Sequence, residues 1–213
     1  MNKIEKIRDE IKRYYDADQF IKNSEETFVS PDKKFRAETA EYHQNKPGLN
    51  WDVTRVRIFD NISEEILFEF TVNDRFFHSW LTVGGIDYLI CAEDMCGGQT
   101  IIDLTHKQMS SYSEDVDGFI WTDFHLSPDE KTIAVRGCVW AYPFAIRIYD
   151  FRRPMDLPLR EIKEVDLIDG EDFVGWFDNR SVKTRRRVID DGTANRTVAI
   201  DGSEIERIIQ IDE

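Results

Sequence analysis

Residues 125–151 read HLSPDEKTIAVRGCVWAYPFAIRIYDF. Ser127-Pro128-Asp129-Glu130 is a turn by its chemistry. Proline fixes φ at the first central position, and an Asp side chain accepts hydrogen bonds from the backbone beyond it. TIAVRGC and AIRIYD follow, both carrying the β-branched, alternating pattern of strands. Between them Trp140-Ala141-Tyr142-Pro143-Phe144 interrupts the pattern with proline and aromatics, as an exposed connection does. The stretch is therefore a hairpin running into a second hairpin.

The same unit recurs along the chain. RVRIFDNISEEILFEF, QTIIDLTHKQMSSYS, AIRIYDFRRPMDLPLREI and RTVAIDGSEIERIIQI each place an apolar strand ending in Asp before a polar turn and another strand. The strand-ending residues are Asp60, Asp103, Asp150 and Asp201, a spacing of roughly 45 residues, within the period of propeller blades. A further hairpin precedes each unit, with turns at Ser30-Pro31-Asp32-Lys33, Val83-Gly84-Gly85-Ile86, Ser127-Pro128-Asp129-Glu130 and Phe177-Asp178-Asn179-Arg180. The expectation is an all-β chain of about four β-propeller-like, four-stranded antiparallel meanders. It forms a single domain over 27–213, divided at 27–74, 75–116, 117–168 and 169–213. The alternative is an irregular β-sandwich, which also shows short strands at regular spacing. Residues 1–26 are an N-terminal amphipathic helix and linker. The first sixteen residues read as the helix, with Ile4, Ile7, Ile11 and Tyr14 on one stripe and charged residues elsewhere.

SPDEKTIAV resembles the Ser-Pro-Asp-Gly-Lys blade motif of WD-repeat-like and Tol-type β-propellers. The longer stretch through Phe151, with CAEDMCGGQTIIDLT before it, resembles a scattered group of uncharacterised bacterial proteins. The closer likeness covers about residues 80–160. It implies blade repeats and says nothing of activity. In that group a Gly is expected where Glu130 stands, and a Cys-Pro-Tyr-Glu run where this chain has Tyr142-Pro143-Phe144-Ala145. These departures remove a thiol and a carboxylate that a metal or redox site would use.

The chain has 213 residues, of which 41% are hydrophobic, enough for a core. Its 42 acidic residues against 28 basic give a net charge of −14. Such a surface repels nucleic-acid phosphates and anionic membranes, so neither is expected as a partner, whereas a basic protein is. No window has the roughly 18 consecutive apolar residues of a membrane span, and MNKIEKIRDEIKRYY lacks a signal-peptide core. Cys91, Cys96 and Cys138 are an odd number of cysteines, which argues against a disulfide framework and for a reducing cytoplasm. They lack the C-x-x-C spacing of a zinc site, so no metal or cofactor is expected.

Two sets of residues are candidates for a site. Glu93, Asp94, Asp123 and His125 would make a catalytic cluster if the loops brought them to one mouth, holding a cation or a water for a metal-assisted hydrolase. The second set is aromatic. Trp51, Trp80, Trp121, Trp140 and Trp176 are spread over all four units and fit packing between blades. Trp140, Tyr142 and Phe144, with Arg136, Trp80 and Trp121, are candidates for a recognition patch. The basic run Lys183, Arg185, Arg186 and Arg187 is split by strand alternation over two faces, next to Asp190 and Asp191. There is no G-x-S-x-G elbow, phosphate-cradling loop or histidine in a triad motif. The reading is a non-enzymatic protein- or ligand-binding module, one version being an inhibitor or immunity protein that blocks a basic partner. A dimer that completes a ring is compatible with it, and the hydrolase is the alternative.

Overall fold

A computed structural model describes residues 3–44, 52–93, 97–113, 118–140, 143–168, 171–187 and 204–211. Helix α1 (Lys3–Lys12) comes first, and a short 3-10 turn (Ala17–Gln19) follows. The helix is shorter than the sixteen residues its periodicity suggests. Tyr14 and Tyr15 donate to the carbonyls of Ile11 and Lys12 at 2.9 and 3.2 Å, three-residue bonds that tighten and end the last turn.

Among the described residues fifteen strands follow in four antiparallel sheets, each built from strands consecutive in sequence. The first sheet is β1 (Glu26–Val29), β2 (Phe35–His43), β3 (Asp52–Asp60) and β4 (Ile66–Asn73). The second is β5 (His78–Val83), β6 (Ile86–Ala92), β7 (Gln99–Asp103) and β8 (Gln108–Tyr112). The third is β9 (Ile120–Leu126), β10 (Thr132–Cys138), β11 (Ala145–Asp150) and β12 (Glu161–Asp166). The fourth has three strands among the described residues, β13 (Glu171–Asp178), β14 (Ser181–Arg187) and β15 (Glu204–Gln210).

The turn chemistry explains the meanders. Ser30 accepts the Phe35 N–H at 3.0 Å and donates to Asp32 at 2.8 Å, and Asp32 takes the Lys34 N–H at 3.1 Å. Ser127 and Asp129 repeat these bonds with Thr132 and Lys131. In both turns the residue after Asp is left-handed, Lys33 at φ 65 and Glu130 at φ 61. That conformation is why Gly is the usual occupant there.

Alternation gives each inner sheet two buried faces. Leu89, Cys91, Ile102 and Leu104 pack on Ala37, Val56, Ile58 and Phe70 of the first sheet. Tyr88, Ile90 and Ile101, the next residues along, pack on Trp121, Ile133, Val135 and Tyr149 of the third. Ala134, Ile146 and Ile148 then meet Val182 and Trp176 of the fourth. Four sheets stacked in series, with one core per junction, are blade-like; a sandwich would enclose one core between two sheets. Among the described residues no sheet closes into a barrel.

The far face of the first sheet is covered differently. Ile7, Ile11, Tyr14 and Tyr15 pack on Tyr42 and Val53 there, so α1 covers part of that outer face. Beside it the face is an ion-pair ladder of Arg36, Glu38 and Arg57, with Arg55 and Glu69. Arg8 reaches past this face to the second sheet, where it meets the carboxylate of Glu93 and, at 3.2 Å, Thr100. Arg8 and Glu93 are both buried. Among the described residues no helix is long and apolar enough to cross a membrane.

Candidate functional site

The two ends of the stack differ in kind. Short turns, and the longer segment between β11 and β12, occupy one end. The other carries the connection between β10 and β11, described here at 139, 140, 143 and 144, which forms the crest of the third sheet.

Strand alternation sends Arg136 of β10 toward the fourth sheet. Its guanidinium lies 4.2 Å from the ring centre of Phe144, 3.2 Å from Asp123 and 3.5 Å from Asp172. Phe144 is held by its backbone, its carbonyl accepting the Leu167 N–H at 3.1 Å, yet its side chain stays exposed. Trp140 is exposed too and sits at φ 50. A bulky residue rarely adopts the left-handed region, and such strain gathers at functional positions. On the other side of the crest, Phe119, Cys138, Val139 and Pro143 line an open recess of about 360 Å³. The crest thus carries a stacked guanidinium, two exposed aromatics and two carboxylates, and Arg147, Glu164 and Asp166 add charge to the lining of the recess.

The structure removes other residues from this surface. Trp121 is 1% exposed, inside the core between the second and third sheets. Trp80 packs at the edge of the core between the first and second. The Trp121 ring is core bulk, which corrects its inclusion among candidates for a patch, whereas Trp80 stays half-buried and lines a small cleft with Ser30, Leu81 and Leu104. Trp176 also packs between sheets, donating its indole N–H to the His125 carbonyl at 2.8 Å. Trp51 and Tyr142 lie outside the described residues.

The carboxylate set is not brought together. Glu93 is enclosed with Arg8 and Thr100, whereas Asp123 is exposed on β9 and paired with Arg136. His125 shares Asp123's face of β9, but its ring lies edge-on to Phe173 at 4.5 Å. Asp94 lies outside the described residues. Among those described, no three of His, Cys, Asp and Glu converge as a metal site would require. Burial raises the thiol pKa of Cys91, strongly, and of Cys138, so neither is an activated thiolate; Cys96 lies outside the described residues. Of the basic run, Lys183 and Arg185 pair with Glu206 of the adjacent strand at 2.7 and 3.4 Å, within one sheet.

Burial lowers the pKa of two half-buried histidines, His78 and His125. His78 stacks on Phe76 at 4.4 Å with the rings nearly parallel. A depressed folded pKa means that below about 6.5 the unfolded chain binds more protons, so stability falls as pH drops below that value. The thermal midpoint is expected to decline from about pH 7.5 to about pH 5.5, above the range in which carboxylates protonate. The double variant His78→Phe/His125→Phe should flatten that slope; an unchanged slope would refute the assignment.

No family model matches the chain. The uncharacterized protein R762 of Acanthamoeba polyphaga mimivirus is 24% identical over 145 residues, covering 66% of this chain and 56% of its own length. The chain thus spans little more than half of that curated relative, which is viral. Among solved structures, the uncharacterized protein lmo1340 from Listeria monocytogenes is 14% identical with a TM-score of 0.41, over 92% of this chain and 51% of that one. The Myceliophteria thermophila Cps50 (Swd1) β-propeller domain is 11% identical with a TM-score of 0.37, over 90% and 87%.

Proposed function

We propose that the protein is a non-enzymatic binding module whose crest, at Trp140, Phe144 and Arg136, docks a basic protein. The observation that carries this reading is the Arg136 guanidinium stacked on the exposed Phe144 between the carboxylates of Asp123 and Asp172. Aromatic and Arg anchors of this kind supply most of the energy of protein interfaces. The net charge of −14 would steer a cationic partner toward it. An inhibitor or immunity role, in which the crest blocks the partner's own site, is the specific form of the proposal. Such a protein would act in the cytoplasm, without a cofactor.

The test is affinity capture by wild type and by Trp140→Ala/Phe144→Ala, followed by measurement of the affinity for the captured protein. The double variant is expected to bind at least about tenfold more weakly, since each anchor removed costs 1 kcal/mol or more. Binding should also weaken as salt rises. Equal capture by the folded double variant would reject the crest as the docking surface.

A further inference from the structure

The opposite end of the stack holds a feature that the crest does not explain. Where the turns of the third and fourth sheets meet, an open cleft of about 530 Å³ is lined by Lys131, Arg152, Arg160 and Arg180, with Asp129 and Asp150. Among the described residues its lining sets four cations against two carboxylates, on a chain whose net charge is −14. An adjoining cleft adds Arg153 and Asp156, paired with each other at 3.1 Å, which leaves the balance unchanged.

The cations are held in place. The segment between β11 and β12 reads FRRPMDLPLR and buries Phe151, Pro154 and Leu159 while Arg152, Arg153 and Arg160 stay exposed. The Leu159 N–H donates to the side chain of Gln99 in the second sheet at 2.9 Å. Arg152 grips Asp150 through Nε at 2.9 Å and through a second nitrogen at 2.5 Å. Arg160 adds one bond to the same carboxylate at 3.1 Å. These hydrogen bonds, from Arg152 foremost, hold the Asp150 carboxyl well below the usual range, so it remains a fixed anion that orients both guanidiniums. A guanidinium has five N–H donors, and Arg160 gives Asp150 only one of them.

We propose that this cleft binds a small phosphomonoester. The ester's phosphate carries about −1.5 to −2 charges at neutral pH, opposite in sign to most of the charged side chains that line the cleft. Guanidinium forks suit phosphate oxygens in bidentate geometry. The cleft is of the size that takes a small molecule, more than a bare phosphate fills, and Ile162 and Ile211 in its lining offer an apolar seat for the ester's carbon portion.

Calorimetric titration of the whole chain with phenyl phosphate, inorganic phosphate and sulfate, at matched ionic strength, tests this. Phenyl phosphate is expected to bind saturably with one site, and the other two more weakly by about tenfold or more, because they lack the apolar group. Arg160→Gln should weaken phenyl phosphate at least about tenfold, the worth of one hydrogen bond to a charged group. Lys131→Gln/Arg180→Gln, which leaves the Asp150 pairs intact, should do the same, so a folding defect in the first variant cannot decide the outcome. No saturable binding by wild type, or unaltered affinity in the folded Lys131→Gln/Arg180→Gln variant, would overturn the site. Equal affinity for all three probes would reduce it to nonspecific anion attraction and overturn the ester.

Discussion

Replacing Arg8 by Ala is expected to destabilise the protein by about 3–5 kcal/mol, the cost of leaving a buried charge without its partner. Glu93 is 6% exposed, and its carboxylate sits against Arg8 and the Thr100 hydroxyl. Truncation removes the countercharge and also the guanidinium packed 4.9 Å from the ring centre of Phe70. The same replacement combined with Glu93→Leu should recover most of the loss, because exchanging a whole buried ion pair for apolar groups is often neutral. Urea unfolding of the two singles and the double measures the coupling. A loss below about 1 kcal/mol for Arg8→Ala, the worth of an exposed pair, would show that water reaches the carboxylate.

Gly137→Ala is expected to cost about 3 kcal/mol, the upper end of ordinary overpacking. A methyl there would lie 2.1 Å from the Ile120 carbonyl oxygen and 2.7 Å from the Phe119 ring. A ring can rotate away, whereas the Ile120 oxygen is main chain of the paired strand β9. The strand pairing already shifts register between Arg136 and Gly137, so the methyl would press on the irregularity that aims Arg136 at Phe144. Chemical denaturation measures the loss. A cost under about 1 kcal/mol would mean that β9 yields, and that close approach does not fix the crest.

The repeat was legible because its cause is local. Asp60 accepts the Ile62 and Ser63 N–H groups at 2.8 and 3.0 Å. Asp103 accepts that of His106 at 2.8 Å, and Asp150 that of Arg152 at 3.2 Å. Each strand-ending Asp thus supplies the turn after it, and the chemistry recurs in the sequence wherever the geometry recurs in space; Asp201 lies outside the described residues.

Contacts across long sequence separation were not. Nothing near Glu93 in the chain announces Arg8, so the acidic pair Glu93-Asp94 looked like loop chemistry until the fold enclosed Glu93. Trp121 and Trp140 have the same side chain, and only their place on the third sheet separates a core ring from an exposed one. The cationic cleft did leave a signal, three arginines flanking two prolines in FRRPMDLPLR. Its meaning depends on Asp150, Lys131 and Arg180, which the sheets bring together from three separate turns.

The Arg8–Glu93 contact spans 85 residues, and that distance has a consequence in time. Ribosomes add roughly 5–20 residues per second, so α1 waits on the order of ten seconds before its buried partner has been synthesised. Through that interval the stripe of Ile4, Ile7 and Ile11 can find the first sheet but cannot neutralise its guanidinium in the second. Complete docking of the helix therefore has to follow synthesis of the second sheet, which supplies Glu93 and Thr100.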